Sequence, residues 1–204
     1  MALSRTKQLQ RNKIINVAKQ MFLDQGIVLT SMTDITKSAK IDRKTLYNYF
    51  SNKEELATAI LEDLKKNSTI MKNTQSYQGD SGFETLTQYF TILFDTLQNN
   101  KESVLYTIHF DYFSEEQTYF VGAKNLNELK ETPLYKILKA GVDDNSINNF
   151  GLSMSKLMGV VFTPFYTTAQ QLCRREKVYK EVYDIEFSDL KVYIKILLAG
   201  LKNN

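Results

Sequence analysis

Glycine and proline are scarce in this chain, eight and two of 204 residues, where average usage is roughly 7% and 5%. So few turn-formers exclude the closely spaced hairpins of sandwiches and barrels, and the expected fold class is all-α. Cysteine is scarcer still: Cys173 stands alone and forms no internal disulfide, as suits a reducing cytoplasm. No run approaches the roughly 18 consecutive apolar residues of a membrane span, and the opening MALSRTKQLQ lacks the apolar core of a signal peptide. A cytoplasmic protein with no membrane partner is expected, and the glycosylation sequon at Asn67-Ser68-Thr69 is taken as chance. With one histidine, His109, and one cysteine there is no His/Cys set for a metal. GxGxxG, GxxxxGK(S/T), GxSxG and HExxH are all missing. The carboxylate pairs Glu115-Glu116 and Asp143-Asp144 fall in charged stretches where solvation is the simpler role. No enzyme, cofactor or metal is expected.

What is present is a globular composition, 43% hydrophobic and 24% charged, enough for one large domain or a small one plus a larger one. The net charge of +3 conceals an asymmetry: residues 1–53 carry ten basic and three acidic side chains, a charge of +7, and the rest carries −4. A basic head on a slightly acidic body suits a first quarter that meets a polyanion. A solvated basic surface would show the same charge.

Helical spacing supports the same division. From Ser4 to Gln25, Ile14, Ala18, Met21 and Phe22 share one face, and Gly26 follows as a helix-ending glycine. Ser31 with Asp34 approximates a capping box, starting a short second helix near Met32. The chain turns at Ala39-Lys40-Ile41, and Asp42 caps a third helix over residues 43–50. After a break at Ser51-Asn52 a fourth helix is expected over 53–73, then a polar loop over 73–82. Helices are expected at 83–98 and 102–113, at 125–140 with Pro133 starting or kinking one, at 150–174 after a turn at 141–149, and at 185–201. Residues 114–124 and 175–184 receive no assignment.

Two short helices joined by a three-residue turn form a minimal helix-turn-helix, whose second helix enters the major groove. The outward residues of that helix have the chemistry for it. Arg43 and Lys44 can bond guanine edges or phosphates, Asn48 can pair with adenine, and the Thr45 methyl can touch thymine. The Tyr47 and Tyr49 hydroxyls can reach phosphates, although either ring could instead pack the third helix against the first.

The run Ala18, Phe22, Gly26, Thr30-Ser31, Ile35, Ala39, Ile41, Thr45-Leu46-Tyr47, Tyr49-Phe50, Lys53 and Leu56 resembles the N-terminal domain of the TetR family of bacterial transcriptional regulators. The resemblance covers roughly residues 10–60. It implies a three-helix DNA-binding domain over residues 7–66, with the reading motif at about 32–50, and a larger helical effector-binding and dimerisation domain over 67–204. It implies further that Ser31 and Thr33 meet phosphates or neighbouring bases, that Arg43, Lys44 and Thr45 read the groove, and that Tyr47, Tyr49 and Lys53 anchor the DNA backbone. Two positions depart from the family pattern. Lys40 stands where the family usually has glycine, so a non-glycine must adopt the left-handed conformation or the turn must differ. Lys44 stands where a small residue is common.

In the remainder, Gly151, Ser155, Gly159 and Thr163 recur every four residues, and Phe187, Leu190, Ile194, Leu197 and Leu201 follow at coiled-coil spacing. The family resemblance implies that these two helices build a four-helix homodimer interface; burial within one chain fits the spacing equally. Ten aromatic residues fall between 83 and 120. Most must be core, but Tyr89, Phe94, Tyr106, His109, Phe110 and Phe113, with Phe162 and Tyr166, are also the types that would line a pocket for a small hydrophobic or aromatic effector, which family members commonly bind. For His109 a structural role competes. The expected function is a homodimeric repressor that leaves a palindromic operator on binding its effector. A transcriptional activator of the same fold and a helical protein-interaction adaptor are the alternatives.

Overall fold

The computed structural model describes residues 5–67, 77–114 and 125–203, and those form helices with no strand beyond one isolated bridge between Ile147 and Lys202. They divide into two compact units. The first takes residues up to Asn67 together with the stretch from Leu105. It holds α1 (Arg5–Gln25), α2 (Met32–Ala39), α3 (Arg43–Tyr47), α4 (Lys53–Asn67) and most of α6 (Lys101–Phe113). The second unit holds α5 (Gly82–Asn99), α7 (Leu126–Glu131), α8 (Pro133–Asp143), α9 (Met154–Arg174), α10 (Glu176–Tyr183) and, after a 3₁₀ turn at Phe187–Asp189, α11 (Leu190–Leu201).

In the first unit α1 packs on α2 and α4 through Ile14, Ala18 and Phe22, while Ile35, Ala39, Leu46, Leu56 and Ile60 close the core, all buried. Each element starts or stops for a local reason. Gly26 takes φ +86°, a left-handed geometry that ends α1 and favours glycine. Ser31 and Asp34 form the capping box of α2, with Asp34 N donating to Ser31 Oγ at 3.1 Å and Ser31 N to the Asp34 carboxylate at 3.1 Å. The third helix is shorter than its spacing predicts: it ends at Tyr47, and tight turns carry the chain through Phe50, whose amide still reaches Leu46 O at 3.1 Å. The stretch after Leu105, which the expected boundary assigned to the larger domain, packs in this unit. Tyr106 is fully buried, donates its hydroxyl to Ala57 O at 2.9 Å and lies 6.5 Å from the Phe22 ring.

The second unit is organised around α5, α8, α9 and α11. The α5–α8 crossing is close: a Cβ on Gly82 would fall 2.2 Å from Gly141 Cα, so the start of α5 tolerates no side chain there. Gly141 sits inside α8 rather than in a turn, and its missing side chain leaves room for Ile147, whose Cδ1 would lie 2.3 Å from a Cβ there. Of the two outcomes expected at Pro133, it starts a helix: it takes the first position of α8, where an amide would be unpaired anyway, and Thr132 caps it, so the stretch 125–140 holds two helices. The core is aromatic, with Phe90 and Phe165 edge to face at 5.1 Å. The helix expected from residue 150 begins at Met154, since Phe150 and Gly151 both take positive φ. The unassigned stretch 175–184 contains α10. The expected extension of the fourth helix over 68–73, the start of the 73–82 loop, the unassigned residues 115–124 and the pair Glu115-Glu116 lie outside the described residues.

Candidate nucleic-acid interface

The exposed face of the first unit is assembled by two capped helices. At the end of α2, Lys40 adopts φ 53° and ψ 52°, so the non-glycine does take the left-handed conformation. Its amide reaches Lys37 O at 3.2 Å and that of Ile41 reaches Thr36 O at 3.1 Å, pairing carbonyls that the helix end would leave open. Two residues later Asp42 caps α3, accepting from Thr45 N and Thr45 Oγ1, each at 2.7 Å. Those bonds hold the Asp42 carboxyl below the ordinary carboxylate range, as the Ser31 bonds do for Asp34. Leu46 is buried beneath, so α3 turns its opposite side outward.

On that outward side Arg43, Lys44, Tyr47 and Asn48 are exposed, and Tyr49 is half-buried. The Arg43 guanidinium lies 5.4 Å from the Tyr47 ring centroid, one helical turn on. Stacking limits the rotamers of both, and Arg43 stays exposed. Thr45 has its hydroxyl proton committed to Asp42, which leaves its methyl and an acceptor oxygen. Ser31 and Thr33 are exposed at the start of α2, with the Ser31 hydroxyl engaged by Asp34. Lys37 and Lys40 are exposed on the last turn of α2 and at its cap; sequence reasoning passed over them, although a basic residue off the buried Ile35/Ala39 face was signal enough.

Lys53 is elsewhere. Its ammonium donates to the carbonyls of Ile27, Val28 and Thr30 at 2.8, 3.0 and 3.0 Å, inside the unit, and burial lowers its pKa. It is not placed as an outward anchor, because three N–H groups meet three backbone carbonyls.

The expected effector residues separate into two sets. Tyr106, His109, Phe110 and Phe113 belong to the first unit, where Tyr106 and Phe110 are core and the His109 ring lies against Gly26. Tyr89, Phe94 and Phe162 are core of the second unit, with Tyr166 half-buried and stacked on Phe162 at 5.5 Å. Burial pushes the Tyr89 hydroxyl far above its ordinary pKa. A surface cleft of about 380 Å³ in the second unit is lined instead by residues such as Ser81, Thr85, Lys136 and Asp144. Asp144 there accepts the Gly82 amide, a structural use of one carboxylate from the Asp143-Asp144 pair.

The expected dimer stripes are also redistributed. Phe187, Leu190, Ile194 and Leu201 are buried in the second unit's own core, with Leu197 packed beside them. The seam is intrachain, because the 3₁₀ turn and α11 lay it on α5 and α9. Gly151 lies in the loop before α9, and Ser155 is half-buried. Gly159 and Thr163 are exposed, as are Val160 of α9 and Val192, Ile196 and Gly200 of α11. A Cβ on Gly159 or Gly200 would meet nothing within 4 Å. The chain's own packing thus gives no reason for either glycine; Gly159, inside α9, costs about 1 kcal/mol relative to alanine, while Gly200 is the penultimate residue of α11.

Among the described residues no group of His, Cys, Asp and Glu could hold a metal ion, and no helix is long and apolar enough to cross a membrane. Cys173 is half-buried, and burial raises its pKa to about 11.

Residues 14–60 match the model of the family described as bacterial regulatory proteins, tetR family. The chain is 28% identical over 141 residues to the transcriptional repressor KstR2 of Mycolicibacterium smegmatis, covering 67% of each chain. It is 38% identical over 57 residues to the transcriptional regulator TtgR of Pseudomonas putida, a match spanning 28% of this chain and 27% of that one. The solved structure of the ketosteroid transcriptional regulator KstR2 of Mycobacterium tuberculosis superposes with a TM-score of 0.63 at 18% identity, over 100% of this chain and 98% of that one. That last likeness is one of fold.

Proposed function

The chain belongs to the TetR family of bacterial transcriptional regulators and is not an enzyme, and on that premise we propose that it is a homodimeric repressor released from a palindromic operator by a small hydrophobic effector. The observation that carries the DNA contact is the outward set on α3: Arg43, Lys44, Tyr47 and Asn48 exposed together over a buried Leu46. Arg43 and Lys44 meet guanine edges or phosphates, Asn48 meets adenine, and the Thr45 methyl meets thymine. Ser31 and Thr33 bring the N-terminus of α2 to a phosphate, where its free amides and partial positive charge favour an anion.

The dimer rests on the exposed face of α9 and α11. Gly159, Val160, Thr163, Val192, Ile196 and Gly200 are small or apolar and outward, and both glycines leave room for a second backbone. A second copy placed there by a two-fold axis would present two α3 helices, to half-sites about 34–36 Å apart. For the effector, the aromatic side chains of the second unit's core, Tyr89, Phe94 and Phe162 with Tyr166 stacked beside them, suit a flat apolar molecule that enters by parting them. The ketosteroid in the name of the structural neighbour makes a steroid-like ketone the first compound class to test. Release then follows from the effector's higher affinity for a dimer whose reading heads are spaced wrongly for DNA.

The deciding experiment incubates purified protein with a genomic fragment library of its source and sequences what is retained. Recovery of a palindrome with half-sites one helical turn apart supports the proposal. No retention above background, by folded dimer at low salt, overturns it in favour of a protein-binding adaptor.

A further inference from the structure

Lys53 opens α4, yet its side chain ends in the loop between α1 and α2. Three carbonyls, those of Ile27, Val28 and Thr30, point at its ammonium from 2.8 to 3.0 Å. Oxygens converging in this way repel one another unless a cation sits among them. An ammonium has three N–H donors and no more, so none is left for a phosphate. The Phe113 ring of α6 covers the same nitrogen, its centroid 5.3 Å away, within cation–π range. Desolvation by this surrounding pulls the lysine pKa down, but nothing here requires it to lose its proton.

The loop so gathered is what launches α2. It is tied at its base by Thr30 Oγ1 donating to Gly26 O at 2.8 Å and by Gln25 donating to Thr30 Oγ1 at 3.1 Å, and the next residue is the N-cap Ser31. The position of Ser31 and Thr33 therefore depends on where Ile27–Thr30 are held. Resting on the DNA-binding reading above, we propose that Lys53 is a positioning residue of the DNA-reading unit: it clamps the loop that aims the N-terminus of α2, and Phe113 sets the strength of the clamp. Lys53 acts through Ser31 and Thr33, and its charge never reaches the DNA.

Binding of a labelled 30-base-pair random-sequence duplex, followed by anisotropy from 50 to 200 mM KCl, separates this from phosphate anchoring. The variants are Lys53→Gln, Lys53→Arg and Phe113→Leu, with Arg43→Ala as control, each first shown folded by circular dichroism. A lost phosphate contact flattens the log–log salt dependence by about 0.9 per contact, so about 1.8 per dimer; Arg43→Ala is expected to do this. Lys53→Gln should weaken binding about tenfold, the order expected for removing charge-assisted hydrogen bonds, with the salt slope unchanged. Lys53→Arg should not restore it, because a planar fork does not fit three converging carbonyls, whereas arginine binds phosphate well. Phe113→Leu should weaken binding in the same direction without any change of charge, and it tests the clamp should the Lys53 variants fail to fold. A flattened slope in Lys53→Gln with rescue by Lys53→Arg would make Lys53 a phosphate anchor and overturn the inference. Unchanged affinity in Lys53→Gln and Phe113→Leu would leave Lys53 with stability alone and also overturn it. Failure of the wild type to bind any duplex, with Arg43→Ala no different, would instead sink the DNA reading itself.

Discussion

The two units of this molecule use the same residue types to different ends. In the first, most apolar residues go inward, Leu9, Val28 and Leu29 excepted, and the outward polar residues Ser31, Thr33, Arg43, Lys44 and Asn48 are ones whose chemistry suits DNA. In the second, the aromatic and small residues that suit a pocket or a helix seam are the ones a core needs, and most are spent there: Tyr89, Phe94, Phe162, Phe187, Leu190 and Ile194 are all buried. A polar residue on a helix is informative because burial rarely claims it. An apolar one is ambiguous, since core, pocket and interface all reward removal from water at the same roughly 25 cal/mol per Å².

Mutations can sharpen that contrast. The largest effect is expected for Phe165→Ala, which empties the centre of the second unit's core beside Phe90. It should cost about 3–5 kcal/mol of unfolding free energy, measured by urea denaturation, while DNA affinity of the folded fraction stays near wild type. Arg43→Ala should do the reverse, weakening operator binding by about 1–3 kcal/mol per half-site in a titration at fixed salt, with little change in melting temperature. If Phe165→Ala also abolished DNA binding by folded protein, the assignment of the DNA contact to the first unit's own side chains would fail.

Smaller changes test the surfaces. Lys40→Gly relieves a left-handed lysine and should stabilise the first unit by about 1 kcal/mol, visible as a higher melting temperature. Gly159→Ala should raise helix stability by about 0.5–1 kcal/mol in a chain kept monomeric by dilution. Where two copies meet over that glycine, the same substitution should weaken the dimer in sedimentation equilibrium. The smallest effect concerns acid. Asp34 and Asp42 have carboxyls held below their ordinary pKa by cap hydrogen bonds. Their stabilisation is thus complete above the unfolded value of about 3.9 and is lost as pH falls through the lower folded values. Circular dichroism from pH 6 to pH 2.5 should show Asp42→Asn, which keeps the cap acceptor, losing helix less steeply than wild type.

Legibility followed the same division. Helix starts at Ser31, Asp42 and Pro133 could be read because a capping side chain or a fixed φ acts within three residues. The role of Gly82 could not, since its reason is the backbone of Gly141, in a helix far away in sequence. For α10 the signal was there but weak: EKVYKEVY repeats its valines and tyrosines every four residues, over only two turns.

The sequence by itself determined an all-α chain with a capped helix-turn-helix and the set of side chains that α3 turns outward, because turn scarcity, caps and helical period are local properties of neighbouring residues. Only the tertiary structure decided which apolar stripes were core, that Tyr106 serves the first unit, and that Lys53 points inward to three carbonyls. Each of those depends on what a distant segment places opposite a side chain, and spacing along one helix carries no record of that.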